Sequence, residues 1–330
     1  MCCLVLGPGG DGTVEELHGR ARPSHGASFL ESSFHRQAII ESISAGALPL
    51  KFAYAGSAAY THDHYASGVD YTAMMASAAN ESDILLSLGL GAATVGGIAE
   101  LGPGNGLHTV TFLRHLAARG LRFRRYLAID FSATLLEIAC DRLRSSFDDD
   151  FLVETSVWDF EDLPLSCVER WRAGEEPVLV CLLGHTLGNV EDPSRALGNL
   201  AAGLRNGDVL LASVLLRQPA ALVESTMTAY RTHAFRCAAL EPLIACGLRP
   251  SDLELVLRYV DSTVVGEVTL LRDARVEGLD LAGGHHFRCF LSRRFTCDEV
   301  VRLIENAGWS IRAARVDETR HHMTVAATRG

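Results

Sequence analysis

Between Gly96 and Leu107 the sequence reads GGIAELGPGNGL, a cluster of glycines beside one carboxylate, Glu100. Gly102, Gly104 and Gly106 recur at every second residue around Asn105. A glycine-rich turn between a strand and a helix lets an anion or a nucleotide approach the backbone closely. The dinucleotide fingerprint has a different spacing, G-x-G-x-x-G, and Leu107 stands where its third glycine would be. Two further acids sit where strands end. Asp130 closes YLAID and is followed by Phe131, and Asp159 with Phe160 follows the run SVW. Plainer explanations stand beside these: a structural tight turn, a charge at a helix start for Asp130, and core packing for Trp158.

The elements that must position these residues alternate. GGIAEL reads as a buried strand, LHTVTFLRHLAARG as a helix closed by glycine, and RRYLAID as a second strand. Ser132 stands as an N-cap before ATLLEIACDRLR. FLVETSVW, PVLVCLLG and GDVLLASVLL read as strands, with SRALGNLAAGL as a helix before the last. Apolar strands alternating with helices predict a parallel sheet covered on both faces, an α/β doubly wound fold. Residues 219–247 read as helical, and DLELVLRYV with STVVGEVTLLRDARVEGLDL as antiparallel strands. TCDEVVRLIENAGW resumes the helix pattern, and SIRAARVDE and HHMTVAATR read as the last two strands. Upstream, residues 1–28 read as a loose tail and FLESSFHRQAIIESISAGA as a helix. PLKFAYAGSAAYTHDHYASGVDY reads as irregular, and TAMMASAANESDILLSL as one helix. The expected organisation is a core over residues 81–213, an insertion over 214–295 and a return to the core sheet over 296–330. Residues 1–80 are expected to join the insertion as a second, smaller α+β domain or lid.

With 48% apolar and 21% charged residues, the composition is that of a globular chain with a substantial core. A net charge of -10, with Lys51 the sole lysine, argues against nucleic acid as the main partner. Nine cysteines, an odd number without a CxxC pair, read as reduced thiols of a cytoplasmic protein. No apolar run approaches the roughly 20 residues of a membrane span, so no membrane association is expected. The pairs His62/His64, His285/His286 and His321/His322 match no familiar zinc spacing, and no metal is expected.

The E-x-G-x-G-x-G run from Glu100 to Gly106 resembles the first motif of class I S-adenosylmethionine-dependent methyltransferases. VLVCLLGHTLGNVEDP and CFLSRRFTCDEVVRLIENAGW resemble segments of the histidine Nα-methyltransferase family of the ergothioneine pathway, over roughly residues 50–325. The resemblance implies a class I methyltransferase core with S-adenosylmethionine as cofactor, and a substrate domain built from the N-terminal part and the insertion. It places Glu100, Gly102, Gly104, Asn105, Gly106 and Gly184 around the cofactor. It sets Asp130 at the ribose, Asp159 and Phe160 at the adenine, and Phe131 among the cofactor-binding residues. Asn189, in LGN, corresponds to the family asparagine beside the reacting amine, with Tyr230 as its catalytic companion. Tyr54, Tyr60, Tyr65, His185, Phe290 and Ser292 are the substrate-pocket candidates. Asn189 as a turn residue and the tyrosines as plain packing remain the alternatives.

One departure bears on the substrate. Where the family carries a glutamate two residues before the serine, to recognise imidazole, this sequence has Phe290. A phenyl ring accepts no hydrogen bond from an imidazole N–H and favours an apolar or aromatic group. The expected reaction is therefore methyl transfer to the amine of an amino acid or small amine other than histidine. An O- or C-methyltransferase on a specialised metabolite and a non-catalytic cofactor-binding protein are the rival readings. An NAD-dependent dehydrogenase is disfavoured by the glycine spacing. No residue stands out as an obligatory general base; His62, His64 and His185 are the candidates. Arg288, Arg293 and Arg294 fit either a substrate carboxylate or solvated strand-face charge, and the second is preferred.

Overall fold

The computed structural model describes residues 33–89, 95–276 and 278–329. The tail read over residues 1–28, and the start of the helix read from Phe29, lie outside them. Helix α1 (Ser33–Ser44) comes first, then a 3-10 turn at Leu50–Tyr54, α2 (Ser57–Ala66), α3 (Val69–Met74) and α4 (Ala78–Ser87). The stretch read as irregular is thus mostly helical. Ser57, Ala58, Ala59, Thr61, His62, Tyr65 and Ala66 of α2 are all buried, so the helix shows no apolar stripe to betray it. The single helix read over Thr72–Leu88 is broken before Ala78.

The alternation follows as β1 (Ile98–Leu101), α5 (Leu107–Ala118), β2 (Arg125–Asp130), α6 (Ala133–Arg144) and β3 (Leu152–Val157). It continues with α7 (Ser166–Trp171), β4 (Leu179–Leu182), α8 (Thr186–Asn189), α9 (Pro193–Ala202) and β5 (Val209–Leu215). Next come α10 (Val223–Met227), α11 (His233–Ala245), β6 (Leu253–Val260), β7 (Thr263–Leu270), β8 (Ala274–Val276), β9 (Leu279–Leu281) and β10 (His286–Arg293). The chain ends with α12 (Cys297–Asn306), β11 (Trp309–Val316) and β12 (His322–Arg329). It divides into two compact units. One holds the described residues up to Tyr71, Ser132–Leu135 and Ala220–Ser292; the other holds Thr72–Phe131, Leu136–Pro219 and the described residues from Arg293 onward.

The second unit is built on a seven-stranded sheet of order β11-β12-β5-β4-β1-β2-β3. Strands β3, β2, β1, β4 and β5 pair in parallel, but β12 runs antiparallel to β5 and β11 antiparallel to β12. The sheet is therefore mixed, not wholly parallel. A short turn after β11 lets β12 fold straight back beside it, and no crossover helix separates the two. Side chains alternate across the sheet. Leu101, Leu127, Val180 and Leu210 enter one apolar cluster with α9 and α12. Ile98, Tyr126, Cys181 and Leu211 enter the other with α4, α5 and α6. The result is a three-layer α/β/α core. The first unit carries a sheet of order β10-β7-β6 and the hairpin β8-β9, with α11 packed on α2. No helix among the described residues is long and apolar enough to cross a membrane.

The helical layer over the second cluster is locked to the sheet by one carboxylate. Glu81 of α4 is fully buried. Its Oε1 accepts from Ser77 Oγ at 2.8 Å, from the Gly184 amide at 3.1 Å and from Ser213 Oγ, while Oε2 meets His108 Nε2 at 2.7 Å. Burial alone would raise the Glu81 pKa, but His108, Ser213 and the Gly184 amide outweigh it and hold it at about 2. Burial likewise opposes charge on His108, but Glu81 reverses this and raises its pKa. Removing one partner of such a pair costs about 3–5 kcal/mol, because the other charge stays buried. Glu81→Ala should destabilise the fold by about that amount, read by urea or thermal unfolding. The Glu81 contribution is complete above its ordinary pKa of 4.5 and is lost as pH falls toward 2. The His108 contribution is complete below its ordinary 6.5 and is lost as pH rises through its raised value. Stability measured against pH should therefore fall on the alkaline side of 6.5 in a step that His108→Gln abolishes.

Candidate active site

The parallel strands β1 and β4 are neighbours, and the chain order runs outward from them in opposite directions, to β2 and to β5. Such a switch point opens a crevice at the carboxyl ends of the strands. The glycine turn leaves β1 at this end, and Gly184 lies just past the end of β4. Gly102, Gly104 and Gly106 have φ of +65°, +57° and +79°, a region L side chains avoid. A Cβ on Gly102 would lie 2.8 Å from Thr186 Cγ2, so the turn passes too close to α8 for any side chain. The Gly102 amide donates to Ile129 O at 2.8 Å, and the Asn105 carbonyl accepts from Arg142. Asn105 Oδ1 caps the first helical turn by accepting from the Leu107 amide at 3.2 Å.

Glu100 faces inward, 2% exposed. Its carboxylate accepts from Tyr126 OH at 2.8 Å and from Thr109 Oγ1 at 2.9 and 3.1 Å. Burial raises its pKa to about 7 against the pull of Tyr126, His108 and Thr109. Glu100 thus braces the turn from beneath, against β2 and α5. Asp130 is buried at the end of β2, and its carbonyl accepts the Trp158 amide at 2.8 Å. Phe131 next to it is half-buried. After β3, Asp159 is half-buried and Phe160 belongs to the apolar cluster with α9.

Gly184 has φ +64°, and a Cβ there would meet only Met75 Sδ, at 4.0 Å. Its amide is the one held by Glu81. His185 is buried; the Leu215 amide donates to its Nδ1 at 2.9 Å, and Arg294 Nη1 lies 3.2 Å from its Nε2. Burial, then Arg294, drives its pKa well down, so the ring is neutral. The imidazole lies so close over Gly188 that a Cβ there would sit 2.1 Å from it, which accounts for the glycine in LGN. Asn189 ends α8, and its Oδ1 is buried with no hydrogen-bond partner among the described residues. Arg293 donates to the carbonyls of Val190 and Glu191, the latter at 2.7 Å, and so fastens the segment after Asn189. Arg294 is only 4% exposed. The preferred reading as solvated strand-face charge is therefore corrected: Arg294 is buried, and half-buried Arg293 is committed to two backbone carbonyls.

Aromatic rings gather within the first unit. Phe290 lies 5.4 Å from Tyr230 and 4.8 Å from Phe235, centroid to centroid. Tyr65 lies 5.3 Å from Phe235 and 4.9 Å from Tyr71, and Tyr54 lies 4.6 Å from His62. Tyr230 OH donates to Ser292 Oγ at 3.2 Å. Tyr60, on α2, is half-buried. Burial lowers the His62 pKa to about 4 despite Asp63 nearby, so this imidazole is neutral. Burial also raises the Tyr71 hydroxyl, with Tyr230 adding to it. Sequence reasoning missed Glu81, His108, Tyr71 and Phe235. A glutamate among apolar positions of α4, four residues after Ser77, was the available signal for the first. No group of three or more His, Cys, Asp or Glu residues placed to hold a metal occurs among the described residues.

Residues 73–329 match the profile of a family described as histidine-specific methyltransferase, SAM-dependent. No curated protein matches the chain. Similar solved structures include an S-adenosylmethionine-dependent methyltransferase from Clostridium acetobutylicum, 12% identical, covering 76% of this chain and 90% of that one, with TM-score 0.43. The glycopeptide N-methyltransferase MtfA is 14% identical over 76% of this chain and 95% of its own, TM-score 0.42. The PH0226 protein from Pyrococcus horikoshii is 12% identical over 80% and 94%, TM-score 0.45. The match spans the glycine turn, the LGN segment and the chain's return to the sheet, and the chain belongs to the histidine-specific, S-adenosylmethionine-dependent methyltransferase family.

Proposed function

We propose that this methyltransferase acts on the amine of an amino acid or small amine whose side chain is apolar or aromatic, and not on histidine. The observation that carries this reading is Phe290, buried between Tyr230 and Phe235 where the resembling family has an imidazole-binding glutamate. A histidine ring placed against these phenyl faces would lose a hydrogen-bond partner, at a cost of about 1–3 kcal/mol.

The second unit suits the cofactor. Positive-φ glycines leave the backbone bare at the ends of β1 and β4, a Cβ on Gly184 would meet only Met75 Sδ at 4.0 Å, and Asp130 brings a carboxylate to the end of β2. Gly102, Gly104, Asn105, Gly106, Phe131 and Gly184 would line the cofactor, with Asp130 at its ribose and Asp159 and Phe160 at its adenine. When bound, S-adenosylmethionine supplies a methyl group already activated by its sulfonium. The protein's task is then to align a neutral amine and to accommodate positive charge as it moves onto nitrogen. Asn189 Oδ1, buried and without a protein donor among the described residues, is suited to accept from that amine and aim its lone pair. Within the first unit, Tyr230, with its hydroxyl set by Ser292, and Tyr54, Tyr60 and Tyr65 carry oxygens and ring faces of the kind that suit positive charge. Glu100 and His185 act by support, the first under the turn and the second over Gly188.

Methyl-labelled S-adenosylmethionine incubated with a panel of free amino acids and amines tests the reading. Label should pass to an apolar or aromatic amino acid or amine and leave histidine unlabelled; efficient histidine methylation would sink the proposal. Phe290→Glu should lower transfer to the native acceptor and raise transfer to histidine. Asn189→Ala should lower kcat by about ten- to a hundredfold, the loss of one hydrogen bond to a charged group, with little change in folding stability.

A further inference from the structure

A cavity of about 420 Å³ lies in the sheet-bearing unit, at the ends of the strands away from the glycine turn. Its walls come from the residues leading into β1, β2 and β4, whereas the glycine turn and Gly184 follow the carboxyl ends of β1 and β4. Four arginines line it: Arg122, Arg124, Arg125 and Arg172. That concentration is unusual in a chain of net charge -10.

Two of the four are already committed and build the wall. Arg125 stacks over the Trp171 ring at 4.5 Å and donates to Trp171 O at 2.9 Å and to Glu154 at 3.1 Å. Arg172 makes two bonds to buried Asp208, at 3.0 and 2.7 Å, and a third to Glu176 O at 2.9 Å. The other two differ. Arg122 and Arg124 are exposed and have no acceptor or carboxylate partner among the described residues. They stand two residues apart on the loop leading into β2, on either side of buried Phe123, and both line the cavity. Glu176 is the opposing carboxylate in the wall, and it folds over the turn, where a Cβ on Gly174 would lie 2.3 Å from its Oε2.

We propose that this cavity binds a small polyanion, a molecule bearing two or more phosphate or carboxylate groups, through Arg122 and Arg124. Guanidinium forks match both groups in bidentate geometry, and the fixed Arg125 and Arg172 stop the wall from collapsing onto the free pair. A cavity of this volume admits a small metabolite and is too small for a macromolecular surface. The site is separate from methyl transfer and does not depend on the identity of the acceptor.

Titration calorimetry of the full chain with inorganic pyrophosphate and, separately, with citrate tests the proposal. At least one probe should bind saturably. Arg122→Gln/Arg124→Gln should weaken it by about tenfold or more, each single substitution less, and Arg302→Gln on α12 not at all. Both arginines are exposed and unpartnered, so the thermal midpoint of the double variant should match the parent, and the single variants serve if it does not. Stronger pyrophosphate binding assigns the ligand to phosphate compounds, and stronger citrate binding to polycarboxylates. Absence of saturable binding for both probes overturns the site. So does equal affinity in the double variant, or equal weakening by Arg302→Gln.

Discussion

Three donors and one imidazole meet at the carboxylate of Glu81, and much of the sheet-bearing unit hangs on that meeting. An ionised carboxylate in an apolar layer is strongly unfavourable unless its lone pairs are satisfied. Ser77, Ser213, the Gly184 amide and His108 satisfy it from a helix start, a strand, the turn after β4 and helix α5. The bond to Gly184 matters most for chemistry. It anchors the amide of Gly184, whose backbone is left-handed just past the end of β4.

A second buried carboxylate repeats the device one strand away. Glu100 is held by Tyr126 and Thr109, and so joins β1 to β2 and to the helix that follows the glycine turn. Burial opposes charge on both acids. At Glu81 the direct contact with His108, Ser213 and the Gly184 amide outweighs it and holds the pKa at about 2. At Glu100 burial wins over Tyr126, His108 and Thr109 and raises the pKa to about 7. Glu81 holds the Gly184 amide directly, while Glu100 ties together the strands and helix on either side of the glycine turn.

The first unit works through rings instead of charge. Tyr65, Tyr71, Tyr230, Phe235 and Phe290 pack edge to face or tilted, an arrangement aromatic quadrupoles prefer. The polar atoms of these five residues are phenol oxygens, and Phe290 adds only a phenyl ring to them.

The sequence by itself determined the alternating core, the glycine turn and the family, because these depend on local rules: side-chain period, glycine spacing and short contiguous motifs. It also marked Phe290, since a departure from a motif is visible without coordinates. Tertiary structure decided the rest. The antiparallel return of β12 was hidden because an apolar strand reads the same in either direction. The helices between Leu50 and Met74 were hidden because a segment such as α2, whose buried residues include serine, threonine and histidine, shows no apolar stripe. The partners of His185, the Leu215 amide and Arg294, come from 30 and 109 residues away. Glu81 and His108 are 27 residues apart, and Tyr230 and Ser292 are 62 apart. Pairings over such distances leave no trace in local pattern, and only the packing of the sheet and its helices brings them together.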